Sequence, residues 1–256
     1  MRILKILGLI LVLINMSMGV CSCMYNDEIY KTYEGMVDTV NRITDDIIKE
    51  TTENLKIKYE CDFKALKVGN RIDTGSTTIY FCPEDNEKIV FIATVDAETN
   101  KVKDDYITKL VSEKIKDKCE NKFDSHKLSA TCNVYIYGET PDDETNTEIT
   151  VDDYLAMYPV SSIFIYMAVD NACVDEIAHS LIQSVKELSS EYDVPVVVSG
   201  FVVGKDYNEC RKQLDIEPDV SDTWFYDFDV LSSFKFAVTD SVCNVSEQDI
   251  FSEIKR

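Results

Sequence analysis

Apolar residues recur every three or four positions in some stretches of the chain and fill short β-branched runs in others. From Asp27 to Asn54 the positions Ile29, Tyr33, Met36, Val37, Val40, Ile43, Ile47 and Ile48, with Leu55 just beyond, fall at steps of three and four, with charge on the other face, which predicts a long amphipathic helix. Strands are predicted over Ile57–Val68, Thr77–Cys82 and Lys88–Val95. The last two flank the polar turn Pro83-Glu84-Asp85-Asn86-Glu87, the mark of a hairpin. A second helix is predicted over Asp104–Lys118, with Ile107, Leu110, Val111, Ile115 and Cys119 on one stripe, and strand Ser129–Tyr137 follows it. Glu139–Asp153 holds Pro141 among Asp, Glu and Thr, and reads as a boundary or a long surface loop.

Beyond that loop the pattern begins again. A short helix over Val151–Met157 stops at Pro159. The nearly all-apolar run Val160–Val169 has the character of a central buried strand. Val174, Ile177, Ala178, Leu181, Val185 and Leu188 form one helical stripe, and Val194–Val203 is a second β-branched strand. A short helix is expected over Asn208–Leu214, paired strands over Trp224–Val230 and Ser233–Val238, and a last helix capped by Ser246 and running through Ile254. Phe91-Ile92-Ala93-Thr94-Val95-Asp96 and Phe236-Ala237-Val238-Thr239-Asp240 both lead into helices, an echo that raises two similar halves. The predicted class is α+β, with antiparallel or mixed sheets packed against amphipathic helices. The predicted division is 1–22, 23–138, the acidic stretch 139–153, and 154–256.

The first residues follow a different rule. Arg2 and Lys5 are followed by the apolar run Ile6–Ile14 and the small-residue close Val20-Cys21-Ser22-Cys23, which is the layout of an export signal. The run is too short for a permanent membrane span. Val20-Cys21-Ser22-Cys23 resembles the lipobox of bacterial lipoproteins, with Cys21 a departure from the usual choice two positions before the lipidated cysteine. The resemblance implies cleavage after Ser22 and a diacylglycerol on Cys23, a membrane anchor without a spanning helix. The alternative is a secreted protein in which Cys23 pairs in a disulfide.

Charge narrows the partners. Net charge is −21, and the signal segment contributes bases but no acids, so the mature chain is more acidic still. Such a chain repels phosphate backbones and anionic lipid heads, which argues against nucleic acid and favours a basic protein or peptide ligand. A hydrophobic share of 45%, with 14 Tyr and 11 Phe, excludes a disordered acidic chain. Cys61, Cys82, Cys119, Cys132, Cys173, Cys210 and Cys243 stand far apart and lack the paired spacing of a zinc site, so no metal and no cofactor is expected. With Cys23 lipidated these seven are odd in number. With Cys23 unmodified there are eight, enough for four bridges.

Few motifs carry chemistry. Asp73-Thr74-Gly75-Ser76 matches the active-site signature of aspartic proteases, whose mechanism needs two facing aspartates sharing a proton. The chain has one such motif, and a turn between strands explains the same residues. His126 lies in a polar stretch. His179 stands next to Ser180, but adjacent helical residues point apart and form no triad. The acids of 139–153 lack the spacing of a calcium loop. The aromatics of Thr223–Phe228 fit either a binding groove or a strand core, with core favoured.

Lys58-Tyr59-Glu60-Cys61-Asp62-Phe63, Val68-Gly69-Asn70-Arg71, Cys82-Pro83-Glu84-Asp85-Asn86, Phe91–Val95 and Asp105-Tyr106-Ile107 occur in that order. This series, over roughly residues 45–120, resembles a group of uncharacterised lipoproteins from low-GC Gram-positive anaerobes. Glu60 replaces the glycine of their K-Y-G stretch, and Glu84 stands where lysine is common. The resemblance implies export and a lipid anchor and brings no known activity. It leaves three function classes. The lead is a lipid-anchored cell-envelope protein with a binding or structural role. The others are a secreted disulfide-stapled binding protein of the viral cytokine-decoy type, and an acid-residue hydrolase using Asp73.

Overall fold

Thr51, Leu55 and Tyr59 are four residues apart and all buried, so a single stripe carries the first described helix, α1 (44–59), past the point where a strand was predicted. The helix ends where Glu60 adopts a left-handed φ of 56° and its N–H closes on the Lys56 carbonyl at 2.9 Å. Strand structure then begins at Phe63 rather than Ile57, with the Phe63 ring edge-on to Tyr59 at 6.0 Å. The computed structural model describes residues 44–69, 75–139, 141–171 and 177–254. Cys23, Asp73, Cys173 and the predicted helix before residue 44 lie outside them.

The chain divides into two compact units, Met1–Phe81 with Ala93–Lys103, and Cys82–Ile92 with Asp104–Arg256. The first contains α1 and most of a four-stranded sheet. That sheet is ordered β1 (Phe63–Gly69), β2 (Ser76–Pro83), β3 (Phe91–Asp96) and β4 (Val102–Asp104). Its connections are too short for parallel crossovers, so neighbours run antiparallel. β4 has three residues and was not predicted. It is set by a tight turn in which the Asp96 carboxylate accepts from the N–H groups of Glu98 and Thr99 and from the Thr99 hydroxyl.

The second unit is built on a five-stranded mixed sheet, in the order β5 (Ala130–Gly138), β6 (Val160–Asp170), β7 (Val196–Val203), β8 (Val230–Thr239) and β9 (Val242–Cys243). β6 and β7 are parallel and the other neighbours antiparallel. The parallel pair requires a crossover, supplied by α4 (Ile177–Tyr192). The other helices of this unit are α2 (Tyr106–Ser125), α3 (Val151–Met157), α5 (Tyr207–Leu214) and α6 (Glu247–Ile254).

Alternation along the strands decides which face is core. Cys132 and Val134 of β5, Ile163, Ile165, Met167 and Val169 of β6, Val196 and Val198 of β7, and Phe234, Phe236 and Val238 of β8 share one face, and all are buried. α2 packs on β5, α4 on β7 and β8, and α6 on β8, through stripes that include Val111, Ile115 and Cys119 of α2 and Leu181, Ile182, Val185 and Leu188 of α4. α5 lies on the other face over Ala168, Phe201 and Val203. Ser246 caps α6 as predicted: its hydroxyl accepts from the Asp249 N–H at 3.1 Å, and Asp249 reaches back to the Ser246 N–H at 3.3 Å.

The α+β class, with an antiparallel and a mixed sheet against helices, is what the structure has. The echoed segments share a local form, in which a strand, a tight turn, a short partner strand and a helix follow in order. Beyond that the two sheets differ in topology. Trp224–Val230 does not form a strand. Trp224–Asp227 is a 3-10 helix closed by Tyr226 N–H to Thr223 O and Phe228 N–H to Phe225 O, because Phe225 turns into the core. Residues 141–150 of the acidic stretch form a loop secured by Glu144, which accepts from the N–H groups of Thr145 and Asn146 and from the Tyr158 hydroxyl, and by Lys114 on the Ile149 carbonyl; the stretch ends in the first turn of α3.

Asp105 precedes α2 but does not cap it. Its carboxylate accepts from the Ile92 N–H at 2.7 Å while its own N–H donates to the Ile92 carbonyl at 3.1 Å. Burial pushes this carboxyl up to about 6; the Ile92 N–H opposes the rise, the Asp104 charge adds to it and Lys109 opposes it. The folded state therefore holds this proton more tightly than the unfolded chain. Its contribution is fully present below the unfolded value near 3.8 and is lost as pH rises through about 6. Asp105→Asn keeps the acceptor without the charge. It is expected to raise stability at pH 7 by about 1–2 kcal/mol and to flatten the pH 4–6 slope in urea unfolding.

Gly200 faces the buried side of β7, where an added Cβ would sit 2.1 Å from the Phe234 ring. Gly200→Ala is expected to cost about 1–3 kcal/mol. Adding Phe234→Leu should recover part of the loss, read from urea midpoints.

Candidate functional site

One half of the outer face of the second sheet is covered by α5 and the 215–228 segment, and the other half is open. On the covered half Phe201 stacks on Phe225 at 4.0 Å, and Tyr207, Cys210, Leu214 and Val220 close over them. Tyr135 of β5 and Tyr166 of β6 pack against the edge of that cluster, and Tyr137 and Phe164 carry the same face on beyond it. The period of two puts them on one face, and the register Tyr135↔Phe164 sets them side by side. Their rings form a continuous row. Tyr137 meets Phe164 at 6.1 Å, Phe164 meets Tyr166 at 4.8 Å, and Tyr166 meets Tyr135 at 5.9 Å. Tyr137 is 50% exposed, Phe164 and Tyr166 are half-buried, and Val197 and Ala237 continue the surface across β7 and β8.

The border between the halves is polar and fixed. Asp222 accepts from the Ser199 hydroxyl at 2.8 Å and pairs with Lys235, which lies opposite Ser199 on β8. Partial burial pushes the Asp222 carboxyl up, but the bonds from Lys235 and Ser199 outweigh it, and the group stays below its ordinary value. The Tyr135 hydroxyl donates to the Pro218 carbonyl at 3.0 Å and accepts from the Val220 N–H at 2.8 Å, tying the covering segment to the sheet. Burial raises the phenols of Tyr135 and Tyr166; the Tyr135 proton is taken by Pro218, and the Tyr166 hydroxyl is the donor near the open end. The surface thus offers neutral aromatic faces beside a locked ion pair. It can stack on a ligand and hydrogen-bond to it.

The chain shares this fold with a protein of known structure. It is similar to the crystal structure of a DUF5037 family protein from Ruminococcus gnavus, at 15% sequence identity and a TM-score of 0.55, covering 80% of this chain and 96% of that one. The likeness is one of fold. No protein family model and no curated protein matches the chain.

The residues singled out in the sequence do not converge on this surface. Cys23 and Asp73 fall outside the described residues. His126 is half-buried where α2 ends. His179 is exposed on α4, with Nδ1 3.1 Å from a Glu247 oxygen. Among the described residues no group of three His, Cys, Asp or Glu could hold a metal ion, and no helix is long and apolar enough to cross a membrane. Of the Thr223–Phe228 aromatics, Phe225 is core, Trp224 and Phe228 pack against it, and Tyr226 is exposed. The ring row itself was missed, although its signal was present. Within Val160–Val169 the aromatics alternate with Ile163, Ile165 and Met167.

Tyr137 and Ile165 lie on opposite faces of neighbouring strands. Tyr137→Ala is expected to cost less than about 1 kcal/mol of folding stability, and Ile165→Ala about 2–5 kcal/mol. Urea denaturation of the two variants checks the contrast; equal losses would mean that the ring row is ordinary core.

Proposed function

We propose that this chain is an exported cell-envelope protein, anchored through a diacylglycerol on Cys23, with a binding role served by the open aromatic half of its second sheet. The observation that carries the binding role is the ring row Tyr135–Tyr166–Phe164–Tyr137 beside the locked Asp222–Lys235 pair. Aromatic faces left accessible on a rigid sheet cost hydrophobic stabilisation and are suited to stacking on a partner. The net charge of −21 favours a basic protein or peptide, whose Lys and Arg side chains also stack on Tyr and Phe.

Export and anchoring are supported by the sequence from Arg2 to Cys23 and by the resemblance to lipoproteins of low-GC Gram-positive anaerobes. The fold likeness to a protein of Ruminococcus gnavus, an anaerobic Gram-positive, is consistent with that lineage. In this reading the hold on the membrane lies in the acyl chains.

Expression in a Gram-positive host followed by intact mass of the membrane fraction tests the anchor. The expected product begins at Cys23 and carries the mass of a diacylglycerol. A soluble product that begins at Cys23 without lipid would overturn the proposal.

A further inference from the structure

We propose that Cys119 and Cys132 are an oxidisable pair that closes into a disulfide between α2 and β5 as the protein folds outside the cytoplasm. The inference goes beyond the binding role and stands whether or not Cys23 carries lipid. Cys119 lies on the buried stripe of α2, and Cys132 lies on the buried face of β5 next to Val134. Both are fully buried, and Cys119 lies close enough to Cys132 to perturb its thiol.

The frame around them fixes that meeting. α2 packs along β5, and Glu120, next to Cys119, reaches across to the strand. Its carboxylate accepts from the Thr131 hydroxyl at 2.7 Å and from the Cys132 N–H at 3.3 Å. Helix and strand are thus tied together by one carboxylate immediately beside the two cysteines, which keeps the buried side chains facing each other. Cys210, by contrast, lies in the cluster on the opposite face, and Cys243 is on the outer strand β9.

The chemistry is thiol–disulfide exchange with a disulfide-bearing donor of the export compartment, protein or small molecule. The two protein S–H bonds and the donor S–S bond break. One protein S–S bond forms, and the donor leaves as two thiols carrying both protons and both electrons. The thiolate is the attacking species. In the finished fold the contact with Cys119 and burial push the Cys132 thiol up, which disfavours that species. Exchange therefore belongs to the stage before α2 closes over β5, and the finished fold shields the bridge from reductant. The bridge closes a loop of about a dozen residues, which corresponds to a rise of roughly 5–10 °C in melting temperature.

The test uses the full chain exported into an oxidising compartment, alkylated in denaturant without reductant, and then digested. The expected result is one species joining the Cys119 and Cys132 peptides, two hydrogens lighter than their sum, together with a melting temperature that falls by roughly 5–10 °C on reduction in mild denaturant. Alkylation of both thiols, or a link from either to another cysteine, would overturn the proposal. A C119S/C132S double variant is expected to melt at the same temperature with and without reductant. Should it fail to fold, peptide mapping of the unaltered chain decides the matter.

Discussion

A lysine buried at the edge of a sheet is the constraint around which the second unit is arranged. Lys116 of α2 is 4% exposed, and its ammonium lies 2.5 Å from Asp215, just past the end of α5. Desolvation alone would pull this lysine down. The charges of Glu113 and Asp215 outweigh it and hold the group charged above its ordinary value. α2 covers one face of the sheet and α5 the other, so the pair reaches around the outer strand β5 and clamps the two layers together. Asp215 also takes Lys88 from the Cys82–Ile92 hairpin tip at 2.6 Å. Asn133 completes the closure by donating to the Leu214 and Glu217 carbonyls. The Lys116–Asp215 pair thus joins the two helices that flank an edge strand. Such a pair contributes little net stability when whole, but losing one partner strands a charge in the interior.

That clamp also shows where sequence reasoning stops. The stripe Ile107, Val111, Ile115 and Cys119 made α2 legible because burial along a helix repeats. Lys116 interrupts nothing in that stripe and reads as solvated. Its partner is ninety-nine positions away, and no periodicity connects the two. The strands of the second sheet were legible for the same reason as α2, since runs such as Val160–Val169 leave little alternative. The short strands β4 and β9 were not, because two or three residues carry no period. Trp224–Val230 looked like a strand by composition, but one buried ring, Phe225, was enough to curl it.

The candidate surface was hidden by a related effect. A strand buried on both faces and a strand with one aromatic face open look alike when polarity is the measure. In β6 the distinction lies between aliphatic and aromatic positions, and it becomes visible only when β5 supplies the matching pair Tyr135 and Tyr137. The surface is also electrically quiet. Burial keeps the Tyr135 and Tyr166 phenols up, and the Asp222 carboxylate is tied to Lys235, in a chain whose overall charge is strongly negative. For the basic ligand proposed above, net charge would act at long range and ring faces at short range, which separates the rate of encounter from the basis of recognition.

The parallel pairing of β6 and β7 has a consequence in time. α2 and β5 are separated by residues 126–129, so their packing closes a short loop at small entropic cost. β6 and β7 meet across residues 171–195, and β7 then waits for β8 beyond α5. The centre of the sheet is therefore its slow part and the outer strand with its helix the fast one, the reverse of a sheet that grows outward from its middle. On the proposed export route, threading from the N-terminus would deliver the fast part of this sheet first. The apolar face of β5 then stands as a template, already backed by α2, when the central strands arrive.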